Sequence, residues 1–210
     1  MLFTRLPSNR ASNWSLTLLN WKKVTDITWE HFLKQRIEET LATGTSEHIP
    51  WRIRDGLAAI LRIGNLSADE RFRRTKPDTY ARRLLYADPA GRYSVVVMTW
   101  GAGQSTPIHD HAGVWCVEGV AEGEIDVTQY RLARTPDGKL RFEPQPSVHA
   151  GLGSTGALIP PQEYHRLANR TDQTAITVHI YGGEIRECHA YFSQPDGSYR
   201  REMHALSYDD

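Results

Sequence analysis

Beyond "TKPD" at residues 75–78 the chain abandons helical spacing. Short segments rich in Val, Ile, Thr and Tyr follow one another ("RYSVVVMTW", "EIDVTQYRL", "GALIPP", "YHRLAN", "TAITVHIYG", "CHAYF"), separated by clusters of Gly, Pro and Asp. β-Branched and aromatic residues suit a pleated, half-buried surface, and Gly and Pro punctuate turns. This stretch therefore predicts an antiparallel β barrel or sandwich. "TPDGK" and "QPDGS" carry turn chemistry, with Gly supplying positive φ.

The first third reads differently. In "TDITWEHFLKQRIEETLATG", Trp29, Phe32, Leu33, Ile37 and Leu41 recur at three-to-four spacing, with Thr25 or Asp26 as N-cap and Gly44 as stop. That is an amphipathic helix. "WRIRDGLAAILRIG" gives a second, striped by Ile53, Leu57, Ile60 and Leu61, and "SADERFRR" from Ser67 a short capped third. The expected organisation is a helical segment, 1–75, packed on a barrel, 76–210, as one domain. Residues 1–24 carry no clear period.

With 210 residues and 40% hydrophobic composition the chain can bury one sizeable core. Its 25 basic and 25 acidic residues cancel, so no global field draws in nucleic acid or an anionic membrane. A small-molecule partner is expected. No apolar run approaches membrane-spanning length, the N-terminal residues lack a secretory pattern, and the two cysteines, Cys116 and Cys188, read as free thiols. A cytoplasmic location follows as an expectation.

The chemistry is concentrated in "PIHDHAGVWC". In a strand, residues two apart share a face, so His109 and His111 project together and can chelate. The competing reading is a pair of hydrogen-bonded imidazoles in a half-buried strand. Strict alternation turns Cys116 to the opposite face, unless a bulge at Gly113 resets the parity. "TAITVHIYGG" places Thr177, His179 and Tyr181 at period two on one face, where the imidazole can steady the phenol. The alternative there is a set of inward polar groups that satisfy one another.

From Gly103 to Gly123 the chain resembles the first motif of the cupin superfamily, with Cys116 where most members carry a glutamate ligand. Pro160, His165 and Asn169 resemble the second motif, while Ser154 and Gln162 stand where glycines are usual. The resemblance implies a jelly-roll barrel in which His109, His111 and His165 hold one metal. Imidazole suits Zn, Fe, Cu or Ni, and three protein ligands leave positions open for catalysis.

"YARRLLYADPAGRYSVVVMTWGAGQSTPIHDHAGVWC", "YHRLAN" and "TVHIY" further resemble the cysteine dioxygenase family of thiol dioxygenases in order and spacing, over roughly residues 78–185. That resemblance implies Fe(II) held by His109, His111 and His165, and an outer-sphere triad of Thr177, His179 and Tyr181 with threonine in the usual serine place. It also makes a Cys116–Tyr181 thioether available. Arg82 stands where cysteine-type members carry the arginine that grips substrate carboxylate, and a one-residue shift would select Arg83. One of the pair is expected to face solvent.

The implied reaction takes a small carboxylated thiol and O2 to the sulfinate. L-cysteine ranks ahead of 3-mercaptopropionate and mercaptosuccinate; for the last, Arg166 is a candidate second base. A metal-binding cupin acting as sensor or isomerase is the alternative from another class. The oligomeric state is left open.

Overall fold

The computed structural model describes residues 28–63, 69–135 and 137–210. Among them are two α-helices, α1 (Trp29–Thr43) and α2 (Ile49–Ile63), a 3-10 turn (Glu70–Arg73) and twelve strands. The strands are β1 (Ala81–Ala87), β2 (Ser94–Trp100), β3 (Ile108–His109), β4 (Cys116–Glu122), β5 (Glu124–Arg134) and β6 (Leu140–Pro144). They continue as β7 (Val148–Gly151), β8 (Thr155–Leu158), β9 (His165–Ala168), β10 (Ala175–Tyr181), β11 (Glu187–Ser193) and β12 (Tyr199–Ala205). The chain is mainly β, with two antiparallel sheets and N-terminal helices, as its periodicity predicts. No helix among the described residues is long and apolar enough to cross a membrane.

One sheet runs β1-β2-β10-β4-β8 and the other β6-β12-β11-β3-β9-β5-β7, with β5 and β6 also paired. Alternation along the five-stranded sheet divides its side chains between two cores. Val95, Val97, Val117, Ile176, Val178 and Ile180 pack outward with Phe32, Leu33, Ile37, Ile53, Leu57 and Leu61 of the helices. Val96, Met98, Trp100, Cys116, Val120 and Tyr181 face inward. Burial on both faces explains why β2 and β10 read as largely β-branched and apolar, with His179 the exception that faces the site.

The helices begin and end for local reasons. Thr28 caps α1, its Oγ1 accepting from His31 N at 3.3 Å, and Gly44 N donates back to Thr40 O at 2.8 Å. Thr25 and Asp26, the caps expected from sequence, lie outside the described residues, as do residues 1–24 and Ser67. The third helix is a 3-10 turn capped by Asp69, with Phe72 buried beneath it. Helix α2 lies directly on β4 because Gly119 has no side chain. A Cβ there would sit 2.6 Å from Leu61 Cδ1 and 2.8 Å from Thr155 Cγ2. At the β4–β5 turn Gly123 takes φ +69°, and a Cβ there would sit 2.6 Å from Thr174 O.

Candidate metal centre

His109 lies in β3, in register with His165 of β9 on one side and Ala190 of β11 on the other. Only Ile108 and His109 belong to that strand, so His111 is not a strand neighbour of His109 as the period-two reading expected. The chain turns after it, at Ala112 (φ 54°) and Gly113 (φ 79°), and His111, between strand and turn, still projects to the same point as His109. His165 Nε2 stands 3.1 Å from His109 Nε2 and 3.1 Å from His111 Nε2. Imidazole nitrogens bound at about 2.1 Å and at right angles would be about 3.0 Å apart, so the spacing fits three ligands on one face of a metal.

Hydrogen-bond polarity tests that fit. His109 Nδ1 faces Pro107 O at 3.2 Å, and His165 Nδ1 faces Glu118 Oε1 at 3.5 Å. An acceptor faces each Nδ1, within hydrogen-bond distance at His109 and in ion-pair contact at His165; protons on the Nδ1 atoms would leave lone pairs on both Nε2 atoms. Two lone pairs 3.1 Å apart repel unless a cation lies between them. Burial, and then the neighbouring His165 imidazole, holds His109 and His111 well below the ordinary imidazole range, so a proton fills the gap poorly. A metal ion satisfies it.

The five-stranded sheet forms the facing wall. Trp100 Nε1 donates to Thr177 Oγ1 at 2.9 Å, and Thr177 Oγ1 meets His179 Nε2 at 2.8 Å. Indole nitrogen only donates, and His179 Nε2 is the only other hydrogen-bond partner of Thr177 Oγ1 among the described residues, so the arrangement that uses the hydroxyl proton has Thr177 donating to His179 Nε2 and the imidazole proton on Nδ1. That Nδ1 points at Glu118 Oε2, 3.5 Å away. The hydroxyl-to-imidazole link expected of Thr177 is therefore present. The next link differs from expectation: His179 Nε2 is bonded to Thr177 and Nδ1 faces Glu118, and the ring stacks on Tyr181 with centroids 6.1 Å apart. Burial holds His179 at about 4, against the pull of Glu118. Burial raises Glu118 as well, but His165 and His179 outweigh it and keep the carboxyl below its usual range.

Cys116 is buried and free, in register with Tyr181 across β4 and β10. The two side chains are register neighbours, and burial pushes both groups well above their ordinary values. The phenol is thus an O–H donor. The turn at 112–113, rather than a bulge within a strand, sets the inward face of Cys116.

Both arginines of "YARRLL" are buried, at 4% and 6% exposure, so the expectation that one faces solvent fails. Backbone carbonyls accept from both. Arg82 Nη2 donates to Ile185 O at 3.2 Å and Nη1 to Ser207 O at 3.4 Å, with the guanidinium over the Tyr208 ring. Arg83 points to the other face, donating to Arg74 O, Thr99 Oγ1 and Asp210 O. Arg82 lines a cavity of about 70 Å³ with Tyr80, Met98, His109, His111 and Tyr181. Arg83 does not. A water needs roughly 10–15 Å³ of such space, so the cavity suits a ligand of a handful of heavy atoms. Arg166 donates to Ser105 Oγ at 3.0 Å rather than lining this cavity.

Two carboxylates escaped the sequence reading. Glu118 is the one acid in the apolar run "WCVEGVA", two residues from Cys116, and that placement was its signal. Glu163 accepts from His111 N at 3.2 Å and lies 3.8 Å from His111 Nδ1; burial pushes it up to about 7. Its position in "PPQEYH" resembles any loop, so nothing marked it.

The family described as cysteine dioxygenase type I matches residues 60–194. Curated relatives include cysteine dioxygenase type 1 from Danio rerio, 24% identical over 115 residues, covering 53% of this chain and 55% of the relative. The Homo sapiens protein of that name is 26% identical over 103 residues, covering 48% and 50%. The chain thus spans about half the length of the curated relatives it matches. Among solved structures, an uncharacterized conserved protein with a double-stranded β-helix domain from Klebsiella pneumoniae is 18% identical, with TM-score 0.43, covering 55% of this chain and 83% of that one.

Proposed function

The chain belongs to the cysteine dioxygenase type I family, and from that premise we propose that it is a non-haem Fe(II) thiol dioxygenase acting on L-cysteine. The observation that carries the reading is the convergence of three imidazoles, two of which, His109 and His111, line one small cavity with Arg82 and Tyr181. His109, His111 and His165 would hold the iron, leaving open positions. The iron, when bound, supplies a dipositive centre that favours thiolate over thiol and the redox chemistry with O2. The reaction balances without an external reductant: R–SH and O2 give R–SO2H, sulfur losing four electrons and oxygen gaining them.

The protein's own groups bind and orient. Arg82 takes the substrate carboxylate through parallel N–H donors, which fixes direction as well as charge. Met98, Tyr80 and Ile185 give the cavity apolar walls that limit water. Tyr181, held neutral by burial, offers its O–H to the reacting end of the substrate. L-cysteine fits the one cavity-lining arginine and the small volume better than mercaptosuccinate, whose second carboxylate would need a second base.

The test is O2 uptake and sulfinate formation by the Fe(II)-loaded protein with L-cysteine, 3-mercaptopropionate and mercaptosuccinate in separate assays. Uptake coupled to sulfinate is expected, fastest with L-cysteine; no uptake with any thiol would leave a metal-binding cupin without oxygenase activity. The same preparation's intact mass reads the Cys116–Tyr181 thioether as the loss of two hydrogens, together with a Cys116 that resists alkylation after denaturation. An unchanged mass removes the cross-link and leaves the dioxygenase reading standing.

A further inference from the structure

Glu118 is 1% exposed, and among the described residues no other carboxylate has both oxygens buried without a formed hydrogen bond. A charge in that position is costly unless something nearby requires it. Its surroundings supply the requirement. Glu118 sits directly opposite His179 in the β4–β10 register, so its Oε2 meets His179 Nδ1 on the same sheet. Its Oε1 reaches across the barrel to Nδ1 of His165 on the other sheet. Both contacts are 3.5 Å, so the carboxylate lies between the imidazoles rather than committed to either.

The direction of the hydrogen bonds is already set from the far end. Thr177 Oγ1 accepts from Trp100, and its own proton has no acceptor but His179 Nε2 among the described residues; using that proton puts the His179 proton on Nδ1, facing Glu118. An acceptor at that point completes the chain, and a carboxylate has a second oxygen left for His165. We propose that Glu118 is a positioning residue that holds His165 and His179 in their Nδ1–H tautomers together. It thereby aims His165 Nε2 at the metal and His179 Nε2 at Thr177. One side chain then couples the order of a metal ligand to the order of the outer-sphere chain. This rests on the reading of His109, His111 and His165 as a metal site.

The experiment compares wild type, Glu118→Gln and Glu118→Leu with Co(II) as the probe. A glutamine amide accepts at one end only and presents N–H at the other, opposite an Nδ1–H. The pair of tautomers is then not supported. Co(II) affinity, measured by chelator competition, should fall roughly 10- to 100-fold in both variants, the range typical of lost outer-shell partners, and the visible Co(II) bands should shift. The thermal midpoint of the metal-free variants should not fall. Imidazole 15N shifts of the metal-free wild type should report Nδ1–H on His179, a readout that needs no variant to fold.

Wild-type affinity and bands retained in Glu118→Gln would overturn the proposal while leaving the metal site intact. So would a lower metal-free midpoint with unchanged affinity, or an Nε2–H tautomer at His179. Wild type that binds no Co(II) would overturn the metal centre itself, and this inference with it.

Discussion

Alanine at position 165 is expected to leave a folded protein that no longer retains metal. His165 Nε2 is the atom that stands 3.1 Å from both other imidazoles, so its loss removes the middle of the set rather than an edge. Four-ligand structural zinc sites bind with about 10–16 kcal/mol, roughly 3 kcal/mol or more per ligand. Losing one of three ligands should therefore raise Kd by about two orders of magnitude or more, enough for the metal to be stripped during gel filtration. Metal per chain by elemental analysis reads the result. The exposed His149, which pairs with Glu124 and Asp126, is the control, and His149→Ala should keep the wild-type stoichiometry. Retention of full stoichiometry by His165→Ala would show that the ligand set is wrong. The substitution also strips Glu118 of one imidazole, so some loss of stability accompanies it. Circular dichroism and thermal melting of the metal-free protein separate that loss from the loss of metal.

The periodicity of the chain made the β architecture readable because strands buried on both faces leave little room for polar residues. Every position of β2 and β10 is buried, and apart from the polar residues that face the site, such as Thr177 and His179, their sequences are mostly β-branched and apolar. His109 and His111 were readable as a pair for a reason that the structure revises. They converge although the strand stops at His109 and His111 lies in the irregular segment before the turn at Ala112 and Gly113, so strand alternation is not what aligns them. Local spacing found the residues and misplaced the cause. Pairing across sheets leaves no local trace, which is why the partnership of Glu118 with His165, forty-seven positions away in sequence, could not be read. The same holds for Arg82 and Arg83. Alternation says that they face opposite sides, but only the later return of residues 207–210 over β1 covers both and removes the solvent-facing choice.

Glutamine at position 82 is expected to abolish the preference for carboxylated thiols. The guanidinium has five N–H donors, two of which go to Ile185 O and Ser207 O, and its place in the cavity wall leaves capacity for a carboxylate. Hydrogen bonds to charged groups contribute about 1.5–3 kcal/mol each, so loss of a parallel pair should lower kcat/KM for L-cysteine by about 10²- to 10³-fold. Cysteamine, which has the thiol and amine but no carboxylate, supplies the comparison. Its kcat/KM should change little, and the ratio between the two substrates is the quantity that decides. Equal losses on both would mean that Arg82 acts by holding the 206–210 segment in place. Arg82→Lys sharpens the distinction, since a lysine keeps the charge without the fork and should recover only part of the ratio. Arg83→Gln gives the opposite pattern. That side chain is equally buried but bonds to Arg74, Thr99 and Asp210 on the face away from the cavity, so its loss should lower the thermal midpoint and leave the ratio as it was.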